Sequence, residues 1–148
     1  MAAISRCRAR QDELSVILLE IENYDDLALM KGPDRMMQIT ACLRQVIQSL
    51  SDTPCECMVV RDGRVAVILP GCERQQAVNL ARLFSDAAPN WLCEHGQIDT
   101  PLSFSAGIAS SATPTRSSRP EDLISAADRC LFAAKRSGGS VVKSIDVL

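Results

Sequence analysis

Apolar positions in this chain alternate between nearly continuous runs and helical spacings. The segment Leu14 to Glu22, LSVILLEIE, is an apolar run that ends in two acidic residues. Such a run is typical of a strand that is buried on both faces. We therefore predict that this segment is the central strand of a sheet.

Several other segments have the apolar spacing of helices. Gly32-Pro33 separates two helical pieces, and in the second of them apolar residues recur at helical spacing, at Met36, Ile39, Leu43, Val46, Ile47 and Leu50. Residues 70–88 predict a second amphipathic helix. A third is predicted over residues 121–139, where the polar segment 118–122 offers a helix start and two glycines end the helix.

Two short apolar segments flank a predicted turn in the stretch 57–71, CMVVRDGRVAVILPG. Asp62 and Gly63 tolerate the positive φ angles of a tight hairpin turn, so we predict a hairpin there. Residues 102–110 and 140–145 predict two further strands. The order β-α-α-β-β-α-β-α-β favours an α+β sandwich of ferredoxin-like type, with helices on a mixed, mostly antiparallel sheet of about five strands.

Size and charge limit the possible functions. A chain of 148 residues that is 47% hydrophobic can bury one core, so we expect one domain over residues 1–148. The net charge of −2 argues against the basic face that nucleic-acid binding needs. No apolar run reaches the roughly 18 residues that span a bilayer, and residues 1–15 carry charges where a signal peptide is apolar. We expect a cytoplasmic domain without membrane insertion.

The seven cysteines do not indicate a disulfide framework or a zinc cluster. Their number is odd and none of them forms a C-x-x-C pair, so we interpret them as reduced, buried thiols. Cys93, Glu94 and His95 are adjacent and of metal-ligating type. No fourth ligand follows nearby in the sequence, so we do not expect a structural zinc site.

Four motifs resemble one family in the same order and spacing. The segment 124–139, ISAADRCLFAAKRSGG, resembles the C-terminal helix of GGDEF domains, the bacterial diguanylate cyclases, whose pattern is roughly A-D-x-A-L-Y-x-A-K-x-x-G. SFSAGIA is similar to the S-x-G strand before that helix, and VILLEIENY to the first strand. The predicted hairpin ends in Val67-Ile68-Leu69-Pro70-Gly71, as the signature hairpin of the family does. The resemblance covers residues 14 to 145 approximately and implies a nucleotide-cyclase-type fold.

The signature itself is changed. Counting back from Pro70 places Arg61-Asp62-Gly63-Arg64-Val65 on its five positions. The resemblance implies a carboxylate at the third position, which helps to hold Mg²⁺ beside the triphosphate. Gly63 has no side-chain oxygen to offer. The cation of Arg64, about 4 Å from a divalent ion, would be repelled by roughly 8 kcal/mol at an effective dielectric constant of about 20.

Other family positions are kept in part. Glu20 and Glu22 match the two aspartates at the end of the first strand, and their spacing places both on one face. They are the candidate metal ligands, although solvated acids at a strand end are the simpler interpretation. Lys135 matches a lysine that reaches the triphosphate, and a lysine near a helix C-terminus is also ordinary surface chemistry. With Arg61, Asp62, Gly63 and Arg64 it would form a vestigial nucleotide pocket.

Positions for guanine and for product inhibition are lost. The Asn-Asp pair that contacts guanine corresponds to Ala28 and Leu29, and the lysine of the family's first-strand motif corresponds to Asp25. The regulatory R-x-x-D sequence falls on residues 52–55, DTPC. The resemblance therefore implies neither guanine specificity nor a product-binding site.

These observations predict a degenerate GGDEF-like domain, inactive as a cyclase, that needs no cofactor and acts as a regulatory or protein-interaction module in bacterial signalling. Its partners would be other protein domains, in a longer chain or as a homodimer, and not nucleic acid. The main alternative is a functional diguanylate cyclase or GTP-binding sensor that uses Glu20 and Glu22, with Asp62, around Mg²⁺. A ferredoxin-like domain unrelated to the family is the third interpretation.

Overall fold

The architecture was determined from a computed structural model that describes residues 13–95, 102–111, 120–138 and 141–147. Within these ranges the elements follow the predicted order. They are β1 (Leu14–Ile21), α1 (Tyr24–Lys31), α2 (Pro33–Leu50), β2 (Glu56–Arg61), β3 (Arg64–Pro70), α3 (Arg74–Glu94), β4 (Phe104–Ser111), α4 (Pro120–Arg136) and β5 (Val142–Asp146).

The five strands form one sheet in the order β2-β3-β1-β4-β5. Strand β1 is antiparallel to both neighbours, with Leu14 opposite Pro70 on one side and Ser111 on the other. Strands β4 and β5 are parallel and are joined through α4, because a parallel pair needs a crossover connection. The predicted α+β class, the mostly antiparallel sheet and the central position of the first strand are confirmed.

Alternating side chains of β1 supply two cores, one on each face of the sheet. Ile17, Leu19 and Ile21 pack in the core that α2 and α3 cover. Leu14, Val16 and Leu18 belong to the core under α4. The even-numbered positions of β1 thus face α4, and this alternation places Glu20 on the same side.

Helix α4 lies very close to β4 because Gly107 has no side chain. A Cβ atom at Gly107 would overlap the backbone of α4 at Ala127 and Leu131. The small residues Ala126 and Ala127 are also buried in this contact. The close approach fixes the C-terminal half of α4 over the end of β1.

Helix α3 is longer than the sequence pattern predicts. It begins with a capping box between Glu73 and Gln76 and continues through Pro89 to Glu94, whereas the prediction ended at residue 88. Proline removes one backbone N–H donor and normally kinks or ends a helix. Here Ala88 and Leu92 are buried in the core beside α3, and their burial favours continuation of the helix.

Two predictions lie partly or wholly outside the described residues. The polar loop predicted before α4 falls largely on residues 112–119, and the charged N-terminal segment on residues 1–12. Among the described helices, none combines the length and the hydropathy needed to cross a membrane.

Candidate functional site

The tip of the β2–β3 hairpin is held from three sides at Gly63. Its N–H donates to Thr40 Oγ1 at 2.8 Å, and its carbonyl accepts from the N–H of Ile21 at 2.9 Å. The ring of Tyr24 covers its Cα so closely that a Cβ atom would overlap the ring. The φ angle of Gly63 is 83°, and Asp62 does not share a positive φ. The predicted turn is confirmed, but only its second residue needs glycine.

Thr40 connects the tip to helix α2. Its hydroxyl donates to the carbonyl of Met36 at 2.8 Å while accepting from Gly63, and the side chain is buried. This role of Thr40 was not predicted from the sequence. Thr40 lies four residues after Met36 and three before Leu43, on the apolar face of the helix, and this position alone indicated that its hydroxyl would be buried.

Asp62 is bound by the neighbouring Tyr24. Burial, the charge of Asp62 and a hydrogen bond to Asp62 raise the pKa of the Tyr24 phenol above its ordinary value. The phenol therefore stays protonated at neutral pH and donates to the carboxylate. This hydrogen bond leaves Asp62 less available as a ligand for a metal ion.

Three cationic side chains surround Glu20, which is 4% exposed at the end of β1. Arg61 Nη2 lies 2.7 Å from Oε1, and Lys135 Nζ lies 2.9 Å from Oε2. Arg64 Nη2 approaches Oε2 to 3.4 Å. Glu20 therefore serves as the counterion of three cations that come from the hairpin and from α4.

The environment keeps Glu20 ionised. Burial alone would raise the pKa of this carboxyl group, but hydrogen bonds from Lys135 and Arg61 and the charge of Arg64 outweigh burial and lower the pKa below its ordinary value. Charge-assisted hydrogen bonds of this kind are the strong ones in proteins. The Glu20 carboxylate is thus charged and already fully engaged.

Arg64 is held between two carboxylates. Its Nη1 donates to Asp128 Oδ1 at 3.0 Å, and its Nη2 faces Glu20. Asp128 and Lys135 are seven residues apart on α4, and this spacing places them on one face of the helix. We call the residues Glu20, Arg61, Arg64, Asp128 and Lys135 the Glu20 cluster.

Glu22 lies one step beyond the strand and accepts a hydrogen bond from Ser105 Oγ at 3.1 Å. Glu20 and Glu22 both line an open cleft of about 850 Å³, together with Arg61, Asp62 and Lys135. Gly63 and Arg64 are not part of its wall. Five of the seven predicted site residues therefore line the cleft, and of the other two Arg64 contacts Glu20.

The cleft carries a negative balance of charge. Its lining has two cationic side chains, Arg61 and Lys135, and five carboxylates. The carboxylates belong to Glu20, Glu22, Asp25, Asp26 and Asp62. Like charges repel strongly where solvent is partly excluded. A triphosphate without accompanying cations would therefore be repelled by this surface.

These donors do not fit Mg²⁺ as the family chemistry would use it. Mg²⁺ needs hard oxygen ligands in near-octahedral geometry, whereas the carboxylate of Glu20 is occupied by three cations. In the parts of the chain that the structure describes, no group of three or more His, Cys, Asp or Glu side chains is arranged to hold a metal ion. Cys93, Glu94 and His95 do not form such a group either. The His95 ring stacks on the Trp91 ring, with the ring centroids 3.8 Å apart.

The guanine positions offer no polar side chain. Ala28 is partly buried against the core, and Leu29 is 87% exposed on α1. Neither residue lines the cleft. A base in the cleft would find no hydrogen-bonding side chain from these two positions.

Comparisons with known proteins agree with this fold. The family described as "Diguanylate cyclase, GGDEF domain" matches residues 1–140. The active GGEEF domain of a diguanylate cyclase from Vibrio cholerae is similar with a TM-score of 0.80 at 21% identity, over 97% of this chain and 89% of that one. The FimX GGDEF domain from Pseudomonas aeruginosa has a TM-score of 0.79 at 17% identity, over 97% of this chain and 87% of that one.

The GGDEF domain of DgcB from Caulobacter crescentus, in complex with c-di-GMP, gives a TM-score of 0.80 at 16% identity, over 97% of this chain and 84% of that chain. No curated protein sequence matches the chain significantly. At these identities the structural likeness shows a common fold.

Proposed function

Because the chain belongs to the GGDEF domain family of diguanylate cyclases, we propose that it is a degenerate, catalytically inactive member that works as a regulatory or protein-interaction module in cyclic di-GMP signalling. The observation that carries this proposal is the state of Glu20. Its carboxylate, the best candidate for a metal ligand, is paired with Arg61, Arg64 and Lys135.

The Glu20 cluster opposes metal binding by electrostatics. A divalent ion at Glu20 would have to displace Lys135 and Arg61 and would still lie near Arg64. At about 4 Å and an effective dielectric constant of about 20, the cation of Arg64 alone would repel it by roughly 8 kcal/mol. Phosphoryl-transfer chemistry depends on metal ions that neutralise the phosphate charge, so this arrangement supports the proposal of an inactive domain.

A role in protein interaction is supported by the surface and by relatives. Large apolar side chains on α1 and α2 are exposed, with Leu29 at 87%, Met30 at 71% and Met37 at 58%. Apolar residues grouped at a surface often mark protein-interaction sites. The diguanylate cyclase SiaD from Pseudomonas aeruginosa was solved in complex with its activator SiaC, and DgcB was solved with a coiled coil next to its GGDEF domain.

Thermal unfolding with GTP and MgCl₂ tests the proposal. A ligand at about 100 times its dissociation constant stabilises a protein by about 2.7 kcal/mol, which corresponds to several degrees for a domain of this size. We expect millimolar GTP with Mg²⁺ to leave the melting temperature nearly unchanged. A rise of several degrees would contradict the proposal.

A paired variant tests the electrostatic reason. Arg61→Ala/Arg64→Ala removes two of the three cations on Glu20, and we expect it to bind Mn²⁺ more tightly than the parent chain in calorimetry. Arg74→Ala/Arg82→Ala is the matched control, since it removes the same charge from α3. Equal Mn²⁺ affinity of the two variants would show that the Glu20 cluster does not suppress metal binding.

One observation favours a second candidate function, a working diguanylate cyclase or a GTP-binding sensor. The cleft of about 850 Å³ is of a size that holds small-molecule ligands, and both Glu20 and Glu22 line it. In that case Mg²⁺ would be held by these two carboxylates after Arg61 and Lys135 have moved. Mg²⁺-dependent GTP binding that Glu22→Ala abolishes would favour this second function.

A further inference from the structure

Two thiols lie side by side at the end of β2 that is far from Arg61. The Sγ atoms of Cys55 and Cys57 are 3.9 Å apart. Both cysteines are free and partly buried. Because alternate residues of an extended segment point to the same side, the spacing of two residues brings the thiols together.

We propose that Cys55 and Cys57 form a reversible dithiol site that is oxidised by peroxide to an intramolecular disulfide. This site is separate from the cleft, whose lining includes neither cysteine. The proposal therefore does not depend on whether the domain binds nucleotide.

The reaction takes two steps. The thiolate of Cys55 attacks one oxygen of hydrogen peroxide, so that an S–O bond forms, the O–O bond breaks and hydroxide leaves as water after protonation. The sulfur of Cys57 then attacks the sulfenic acid, so that the S–S bond forms and the S–O bond breaks. The thiol proton of Cys57 leaves with the departing hydroxide as a second water. Peroxide is reduced to water while two thiols become one disulfide.

The surroundings assign different roles to the two thiols. Gln48 Nε2 donates a hydrogen bond to Cys55 Sγ at 3.7 Å. Burial, together with the charge and hydrogen bond of Cys55, raises the pKa of the Cys57 thiol to about 12. Cys55 is therefore the attacking group, and Cys57 keeps its proton until the second step.

The same features argue against a metal site at this pair. Binding of a soft metal ion needs both sulfurs as thiolates, and the raised pKa of Cys57 opposes the second deprotonation. Within the described ranges, no third Cys, His, Asp or Glu completes a metal-binding group with these two. A disulfide needs only one thiolate at a time.

The resulting disulfide should be easy to reduce. Two residues of extended chain separate Cα atoms by about 6.6 Å, which is near the upper end of the range of about 4.4 to 6.8 Å found for disulfides. Strained disulfides have more oxidising potentials and are the labile ones. Cys55 precedes β2, whose pairing with β3 begins at Glu56 opposite Ile68, so Cys55 can move without breaking that ladder.

Trypsin provides a direct test. Cleavage after Arg44 and Arg61 releases residues 45–61, a fragment that contains Cys55 and Cys57 and no other cysteine. The reduced full chain is treated with hydrogen peroxide, and its remaining thiols are blocked with N-ethylmaleimide. The chain is then digested, and the masses of the fragments are measured by mass spectrometry. We expect the fragment to be unalkylated and lighter by two hydrogen atoms, and dithiothreitol added before the block should restore double alkylation.

Two outcomes would overturn the proposal. One is a fragment that stays doubly alkylated at a peroxide concentration that already oxidises the exposed Cys93. The other is a disulfide that joins this fragment to a different cysteine, such as Cys72.

Variants separate the roles of the two sulfurs. In Cys57→Ser, oxidation should stop at a sulfenic acid on Cys55, which dimedone traps within the same fragment. In Cys55→Ser, Cys57 should react with peroxide more slowly than Cys55 does in Cys57→Ser, because burial still raises the pKa of the Cys57 thiol. Cys130→Ser is the matched control and should behave as the parent chain does. Dimedone labelling of Cys57 at the rate seen for Cys55 would contradict the assignment of Cys55 as the attacking thiol.

Discussion

The carboxylate of Glu20 and the ammonium group of Lys135 lie 2.9 Å apart, so that the end of the central strand is joined to the last helix. Arg61 and Arg64 bring the hairpin to the same carboxylate. One buried acid thus connects three elements of the fold. In the proposed inactive domain, this carboxylate serves as the shared counterion of the three cations and not as a metal ligand.

The central position of Glu20 predicts unequal effects of two substitutions. Glu20→Ala leaves Arg64, whose side chain is 15% exposed, with only the exposed Asp128 as a counterion, and the loss of the buried partner should cost up to about 3 kcal/mol. Lys135→Ala removes a half-exposed partner and should cost less than about 1 kcal/mol. Urea denaturation measures both free energies of unfolding. Equal losses would contradict the role of Glu20 as the shared counterion.

The lowered pKa of Glu20 predicts a loss of stability in acid. A carboxyl group whose pKa is lower in the folded state binds protons more readily when unfolded. Its contribution is present above the unfolded pKa of about 4.3 and is lost as pH falls through the folded pKa. Between about pH 5 and pH 3, the parent chain should therefore lose more stability than Glu20→Gln, which lacks this carboxyl group. Urea denaturation at each pH measures the free energy of unfolding of both proteins. An equal loss of this free energy in the two proteins would contradict the ion pairing.

The turn at Gly63 predicts a substitution cost that has two parts. A valine at Gly63 would be strained by the φ angle of 83° and would also overlap the ring of Tyr24, so we expect Gly63→Val to destabilise the fold by more than about 1 kcal/mol. Gly71 is the matched control, because its φ angle is 77° and nothing lies within 4 Å of its Cβ position.

Gly71→Val should therefore cost less than Gly63→Val, and the difference measures the contact with Tyr24. Chemical denaturation of the two variants gives both values. A cost at Gly63 no larger than at Gly71 would mean that Tyr24 does not restrain the hairpin tip.

The elements of the fold were predictable because local patterns and burial agree along most of the chain. The apolar run of β1 indicated a central strand, and Gly63 indicated the hairpin turn. The predicted helix ended at residue 88, whereas α3 continues through Pro89 to Glu94, although a proline inside a helix is locally unfavourable. Its continuation depends on the burial of Leu92, a tertiary contact that no local pattern reports.

The residues of the candidate site were predictable from the sequence, but the ion pairs between them were not. Glu20, Arg61 and Lys135 were identified as separate positions, yet their contact arises only when β1, the hairpin and α4 assemble. Arg61 is 41 residues from Glu20 in sequence. Arg64 was interpreted as a cation that would repel a metal ion, whereas the structure shows that it pairs with Glu20 and Asp128. Pairings over such distances follow from the topology of the sheet.

The proposed catalytic inactivity can be measured as the production of cyclic di-GMP from GTP. The full chain is incubated with GTP and either Mg²⁺ or Mn²⁺, and the products are separated by liquid chromatography and identified by mass. Phosphoryl transfer from GTP needs metal ions at the phosphates and a positioned base. In the proposed inactive domain, the Glu20 carboxylate is paired with three cations, and Ala28 and Leu29 offer no polar side chain. We predict that the parent chain forms no more cyclic dinucleotide than a protein-free control. Metal-dependent formation of cyclic di-GMP that Glu20→Ala abolishes would show that the domain is an active cyclase.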